Sequence, residues 1–310
     1  MTVSFAPFMN TIRAAKGAMT LLLFVCGVGF SSFLASAQAH TAAIVSQQKT
    51  GEPPSTRTGA FADIPDFPSK ILGNSRSITV YLPPSYASEK SRRYPVLYAQ
   101  DGQNLFDRRT AFLGREWELD ETLERRIKDG MLPEIIVVGV WNTPVRMEEY
   151  TPGAGGDRYV RFLVEELKPT IDRRFRTRHD ARNTAILGSS MGGLISTWAA
   201  LRRPDVFGQA ASLSSVFQFM GEATTRLLSQ IFDSKKKPPV RLYFDFGTNE
   251  VDEKPERYVA YLGGMEEQLE KAGFRWGTDY VTYVVPGAEH NETWWAKRVW
   301  RPLSFLFPSK

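Results

Sequence analysis

Gly188-Ser189-Ser190-Met191-Gly192 is a G-x-S-x-G pentapeptide, and Gly193 follows it. A serine in that frame can attack an ester carbonyl, provided a base takes its proton and a sharp turn lifts its hydroxyl clear of the chain. The glycines supply the turn. A Cβ beside the serine would collide with the neighbouring strand or helix, and the serine itself takes a strained backbone conformation. The bland alternative is a glycine-rich connection that only lets a helix pack close to a strand. The Gly188–Ser190–Gly192 register makes Ser190 the expected nucleophile, ahead of Ser189.

A serine needs a base, and the chain has three histidines, His40, His179 and His290. His40 lies in an N-terminal tail. His179 sits in a polar segment before the nucleophile strand, at the opposite edge of a sheet. His290 follows the last predicted strand through Pro286-Gly287-Ala288-Glu289, where the order serine, acid, histidine requires the base. The acid must lie between them. Phe244-Asp245-Phe246-Gly247-Thr248-Asn249-Glu250-Val251-Asp252 follows a buried strand, and both Glu250 and Asp252 fall in the loop, where a carboxylate reaches a histidine. Helix capping is the alternative use of either. Two backbone amides complete the set as oxyanion donors. One belongs to Met191, after the nucleophile; the other to Gln103, in the turn Asp101-Gly102-Gln103-Asn104.

These residues need a scaffold that brings distant loops to one edge. Val96–Ala99, Ile135–Val138, Thr184–Leu187, Ala210–Leu213, Leu242–Phe246 and Val281–Val285 read as buried strands. Ile78, Val80 and Leu82 alternate with Thr79 and Tyr81, as in a half-exposed strand. Leu119, Leu123 and Ile127 mark a helix, as do Val160, Leu163, Leu167 and Ile171, with Pro169 expected to kink or end it. Further helices start near Leu194, run over Tyr258–Leu269, and close the chain over Trp294–Leu306 with a break at Pro302. The alternation predicts an α/β class, specifically the α/β-hydrolase fold: a mostly parallel central sheet with helices on both faces.

With those elements placed, the chain resembles the esterases related to esterase D, a group that includes enterochelin esterases, feruloyl and acetylxylan esterases of carbohydrate esterase family one, S-formylglutathione hydrolases and mycolyltransferases. The resemblance runs from about Ile78 to Trp300. It rests on Tyr98-Ala-Gln-Asp-Gly-Gln-Asn-Leu-Phe106, Glu149-Tyr-Thr-Pro152, Asn183 through Gly193, Gly247-Thr-Asn-Glu250 and His290-Asn291. The family's acid sits three residues after the strand-ending glycine, which implies Glu250, although relatives more often carry Asp there. The implied activity is ester hydrolysis through a Ser190, Glu250, His290 triad and an acyl-enzyme. The alternatives are an acyltransferase with the same triad and a non-catalytic binding protein on the same fold. Trp141 and Arg146, after a central strand, and Trp294, after the histidine, are expected to contact substrate. For Arg146 the alternative is an ion pair with Glu148 or Glu149. The segment Val216–Ser234 is a candidate cap.

The remaining features set the compartment and the partners. Arg13 and Lys16 precede the apolar run Ala18–Ala35, and small residues alternate at Ala35-Ser36-Ala37-Gln38-Ala39. That pattern predicts a signal peptide over 1–39, hence a periplasmic or secreted enzyme, with an uncleaved anchor as the alternative and no stable membrane insertion after processing. Residues 40–62, rich in Gly, Pro, Ser, Thr and Gln, are expected as a flexible linker, and 63–310 as the catalytic domain. Cys26, the one cysteine, lies in the leader, and the histidines are scattered, so no metal or redox cofactor is expected. The net charge is +5, of which Arg13 and Lys16 supply two; Lys235–Lys237 reads as a solvated loop and no nucleic-acid partner is expected. The expected partner is a small-molecule or glycan ester, an aromatic-acid or siderophore ester included, because flat tryptophan faces suit sugar and aromatic rings and the body holds no long apolar lid.

Overall fold

The computed structural model describes residues 53–214, 237–250 and 255–309. The leader, the candidate cap Val216–Ser234 and Asp252 lie outside the described residues.

Among the described residues eight strands form one sheet: β1 (Ala60–Ser69), β2 (Asn74–Leu82), β3 (Val96–Gln100), β4 (Ile136–Val140), β5 (Thr184–Ser189), β6 (Gln209–Leu213), β7 (Arg241–Gly247) and β8 (Tyr280–Val285). Their order is β1-β2-β4-β3-β5-β6-β7-β8. β1 pairs antiparallel with β2, β2 antiparallel with β4, and all later neighbours are parallel. Helices cover both faces because the parallel strands are apolar on both. Tyr98, Val138, Ile186 and Leu242 point into one core with Tyr159, Leu163, Leu194 and Leu269. Leu97, Val137, Leu187 and Tyr243 point into the other with Leu119, Leu123, Trp295 and Leu303. This is the α/β-hydrolase architecture expected from the alternation of strands and helices.

Four local expectations are corrected. β2 is buried on both sides: Tyr81 sits against helix α1 (Leu119–Lys128) and donates to Glu124 Oε1 at 2.8 Å, and Thr79 accepts from Trp141 Nε1 at 3.1 Å. β1 begins inside the segment expected to be linker, at Ala60–Ala62; its Pro65 and Pro68 are tolerated because it is an edge strand with a bulge between Ile64 and Phe67. Pro169 does not end its helix. The chain runs from α3 (Ala154–Arg161, after the short α2, Arg146–Tyr150) through a π turn, Phe162–Leu167, into α4 (Lys168–Arg174). The Lys168 amide bonds five residues back, to Leu163, and this wider turn carries the helix past a residue that has no amide hydrogen. After α6 (Pro255–Lys271) and α7 (Glu292–Arg298), the closing helix breaks at Val299 and not at Pro302, which sits in the first turn of α8 (Trp300–Leu306), where a missing N–H costs nothing.

The supposed linker is also tied down before β1 begins. Ser55 Oγ donates to Asp107 at 2.6 Å, Thr56 bonds Glu116, and the Thr58 amide donates to Asp120 Oδ2 at 2.6 Å. Asp120 is fully buried, and burial, helped by its neighbour Glu121, pushes its carboxyl up to about 8. The folded state therefore prefers the neutral acid. The stability that this proton supports is fully present below the ordinary carboxyl range and is lost as pH rises toward 8. The melting temperature is expected to fall between pH 5 and pH 9, and Asp120→Asn to flatten part of that slope, because an amide keeps the Thr58 bond without a charge. An unchanged slope in a thermal-shift titration of the variant would remove Asp120 as its source.

Candidate active site

The loops that follow the parallel strands meet at their C-terminal edge. β5 runs into Ser190, whose backbone sits at φ 53° and ψ −127°, and α5 (Met191–Arg202) starts at the next residue. Non-glycine residues rarely take that conformation, so the surrounding contacts must hold it. The Ser190 amide donates to Leu213 O of β6 at 2.9 Å. A Cβ on Gly188 would stand 2.4 Å from the Gly192 backbone, and one on Gly193 would stand 2.1 Å from Ser212 Oγ. The helix can start so close to the strands only because these positions carry no side chain. Ser190 is half-buried, at the positive end of a twelve-residue helix.

β3 ends beside this turn. Asp101 takes a left-handed conformation, φ 56° and ψ 47°, and Gly102–Asn104 form one tight turn. A Cβ on Gly102 would lie 2.5 Å from the Gly139 backbone, so the turn lies directly on the end of β4. Neither the Gln103 nor the Met191 amide has a hydrogen-bond partner among the described residues. The Asp101 carboxylate holds the turn. It accepts both Arg146 Nε and Nη2 at 2.7 Å and Asn142 Nδ2 at 2.6 Å. Burial works against the Arg146 charge, but Asp101 more than offsets it and raises the guanidinium above its ordinary value.

β7 ends at Gly247, where a Cβ would meet Ala288 O at 2.1 Å. Three hydrogen bonds lace this end to the loop after β8: Thr248 N to Val285 O, Asn249 N to Ala288 O, and Gly287 N to Thr248 Oγ1. The lacing places Glu250 against His290, with Oε2 3.3 Å from Nδ1. The other oxygen, Oε1, accepts from Gly247 N at 2.6 Å and Ser214 Oγ at 2.5 Å, and Arg298 Nη2 stands 3.4 Å away. Ser214 Oγ in turn accepts from Arg298 Nη2 at 2.6 Å and Trp295 Nε1 at 2.8 Å. Arg298 Nε donates to Asp245 Oδ1 at 3.1 Å, and Tyr243 donates to Asp245 Oδ2 at 2.9 Å. Asp245 has no exposed surface, and burial raises its carboxyl above the ordinary range while Arg298 pulls it down. Trp295 packs edge-on against the His290 ring at 5.3 Å. One buried arginine thus serves two buried carboxylates, and the carboxylate nearer the surface faces the histidine.

The residues expected to contact substrate stand as follows. Arg146 pairs with Asp101, not with either alternative: Glu148 pairs with Arg158 and Glu149 with Arg76. Trp141 is half-buried under the Gly102 turn, its Nε1 held by Thr79. Trp294 is half-buried with Lys297 over its ring at 4.2 Å, while Trp295 is core. His179 is exposed before β5, at the far end of the sheet from Ser190. Among the described residues the acids close enough to share a cation are Glu116, Asp120 and Glu121, at the start of α1 and outside these loops. No helix among them is long and apolar enough to cross a membrane.

Ser214, Arg298, Asp245 and Asn142 were not expected at the site. Arg298 carries a faint signal, eight residues after His290 on a short helix; Ser214 carries none.

The family model described as Putative esterase matches residues 69–305. The chain belongs to this esterase family. It is accordingly a carboxylic-ester hydrolase. Among relatives of this esterase, the uncharacterized protein YbbA of Bacillus subtilis strain 168 is 26% identical over 255 residues, 77% of this chain and 95% of YbbA. An endo-1,4-beta-xylanase/feruloyl esterase of Xylanibacter ruminicola is 34% identical over 155 residues, 48% of this chain but only 20% of that protein. Among solved structures, an IroE-like serine hydrolase from Shewanella oneidensis matches with a TM-score of 0.65 at 23% identity, over 80% of each chain. The enterobactin esterase of Shigella flexneri matches with a TM-score of 0.64 at 18% identity, over 81% of this chain and 61% of that one. At those identities the structural likeness speaks for the fold.

Proposed function

We propose that this esterase is an exported serine hydrolase in which Ser190 attacks the ester carbonyl, His290 carries the proton and Glu250 orients and balances His290. The observation that carries this reading is the 3.3 Å approach of Glu250 to His290 Nδ1, at the sheet edge where the strained turn presents Ser190. With Nδ1 protonated toward Glu250, the other ring nitrogen is left to accept the serine proton. The tetrahedral oxyanion would be met by the Met191 and Gln103 amides. Collapse expels the alcohol, which takes its proton from His290. Water, deprotonated by the same histidine, then releases the acid from the acyl-enzyme. The residues suffice without a cofactor.

Arg13, Lys16, the apolar run that follows and the small residues ending at Ala39 support export to the periplasm or beyond, with the catalytic domain following that leader. The substrate we propose is a small-molecule or glycan ester with an aromatic or catecholate acyl group. The names of the Xylanibacter feruloyl esterase and the Shigella enterobactin esterase support it, as do Trp141 and Trp294 beside the site, with Arg146 bordering it through Asp101. A kcat/KM series over acetyl, butyryl, octanoyl, palmitoyl and feruloyl esters, with a catecholate siderophore ester and acetylated xylan, tests the reading. Feruloyl or catecholate esters are expected to lead. A preference rising steadily toward palmitoyl would replace it with a lipid esterase, and ester products formed on added alcohols in place of acid would replace hydrolysis with acyl transfer.

A further inference from the structure

At the opposite end of the sheet from Ser190, the strands begin around a cavity of about 1080 Å³. Pro95 before β3, Asn183 before β5, Gln209 of β6 and Arg241 of β7 line it, so its floor is the N-terminal edge of the parallel sheet. Its wall is cationic: among the described lining residues Arg92, Arg93, Arg178, Arg182 and Arg241 face one acid, Glu134.

That acid is already used. Glu134 pairs with Arg92 at 2.5 Å and accepts from the Ser85 amide and hydroxyl. Among the described residues the hydrogen bonds and ring stacking of the other four arginines go to neutral groups, although Arg241 also feels the charge of Asp279, which is itself paired with Lys237 and Arg275. Arg93 donates to Thr177 O, and Arg178 to Arg93 O. Arg241 donates to Gln209 Oε1 at 3.2 Å and Thr278 O at 3.4 Å, and stacks on Phe305 at 4.2 Å. Arg182 is exposed at the rim, and its side chain has no hydrogen bond among the described residues. Four guanidinium groups around one concavity, none of them ion-paired among the described residues, repel each other, and an anion relieves that repulsion. Burial also drags the Arg241 guanidinium below its ordinary value, the mark of a charge that its neighbours only partly compensate. Guanidinium forks suit phosphate and carboxylate oxygens two at a time. The concave shape selects a small ligand, since a nucleic acid or a membrane is met by an open stripe or face.

We propose that this cavity binds a small anion carrying several phosphate or carboxylate groups, at a site separate from the esterase centre. The test is calorimetric titration of the full chain with inorganic tripolyphosphate and, separately, with citrate, which distinguishes the two anion chemistries. One saturable site per chain is expected for at least one probe. Affinity should weaken at least tenfold in Arg241→Gln and in the double variant Arg178→Gln/Arg182→Gln, and should fall with added salt. Turnover of a p-nitrophenyl ester should stay at the wild-type value in both. Should Arg241→Gln fail to fold, the double variant at the exposed rim still decides. Absence of saturable binding to either probe, or equal binding by the double variant, overturns the proposal. So does binding of duplex DNA or anionic vesicles without a saturable small-anion site.

Discussion

Ser190→Ala is expected to lose ester turnover by about a million-fold, down to what the oxyanion donors and binding supply alone, while the protein keeps its fold. The hydroxyl is half-buried at the tip of the turn, and the backbone bonds around it, Ser190 N to Leu213 O and Leu194 N to Ser190 O, do not involve it. Alanine accepts the strained φ of 53° no better and no worse than serine, so stability should change little. Glycine differs. It takes that conformation without the penalty of about 1–3 kcal/mol, against a smaller entropic loss of about 0.5–1 kcal/mol. Ser190→Gly should therefore melt above the wild type while being just as inactive. This joint outcome separates strain held for chemistry from a turn that merely packs. A fluorophosphonate probe should label Ser190 in the wild type and nothing in either variant. Labelling of another serine, or substantial turnover by Ser190→Ala, would move the nucleophile elsewhere.

The sharp turn at Ser190 was legible in the sequence. The elbow needs residues without side chains at fixed offsets, and Gly188, Gly192 and Gly193 write that need into six consecutive residues. The position of His290 on the loop after the last strand was legible as well, since strand order can be read from the apolar runs. The central strands were legible because burial on both faces demands unbroken apolar runs. β1 was not, since a bulged edge strand can hold Asp63, Pro65, Asp66 and Pro68 and so reads as a loop. The double burial of β2 was hidden as well. Its polar-seeming residues Thr79 and Tyr81 are satisfied by Trp141 and Glu124, 62 and 43 residues away. The same distance problem concealed the hydrogen bonds that hold Glu250. Ser214 lies 36 residues before Glu250 and 84 before Arg298, and nothing in its neighbours announces a shared hydrogen bond. Local patterns display what one segment must do by itself. A buried ion network is a property of several loops together, and no single segment carries its signature.

That network makes Glu250→Gln the second large effect, and it gives the loss a specific cause. Oε1 of Glu250 is surrounded by donors: Gly247 N, Ser214 Oγ and, at 3.4 Å, Arg298 Nη2. An amide placed there must turn its oxygen toward them, since its NH₂ would face hydrogens. The NH₂ then points at His290 Nδ1 and donates to it. A neutral imidazole that accepts at Nδ1 carries its proton on the other nitrogen and cannot take one from serine. The variant should thus keep KM within a few-fold and lose about a thousand- to ten-thousand-fold in kcat. Asp252→Asn should be mild. Ser214→Ala tests the same logic from behind: it removes one of the donors that set the orientation of Glu250, so kcat should fall by a smaller factor, and adding it to Glu250→Gln should cost less than it does alone, because the two act through one bond. Comparable kcat in Glu250→Gln and wild type, with a collapse in Asp252→Asn, would transfer the acid two residues along the loop and leave the Arg298–Ser214 cluster as a structural feature only.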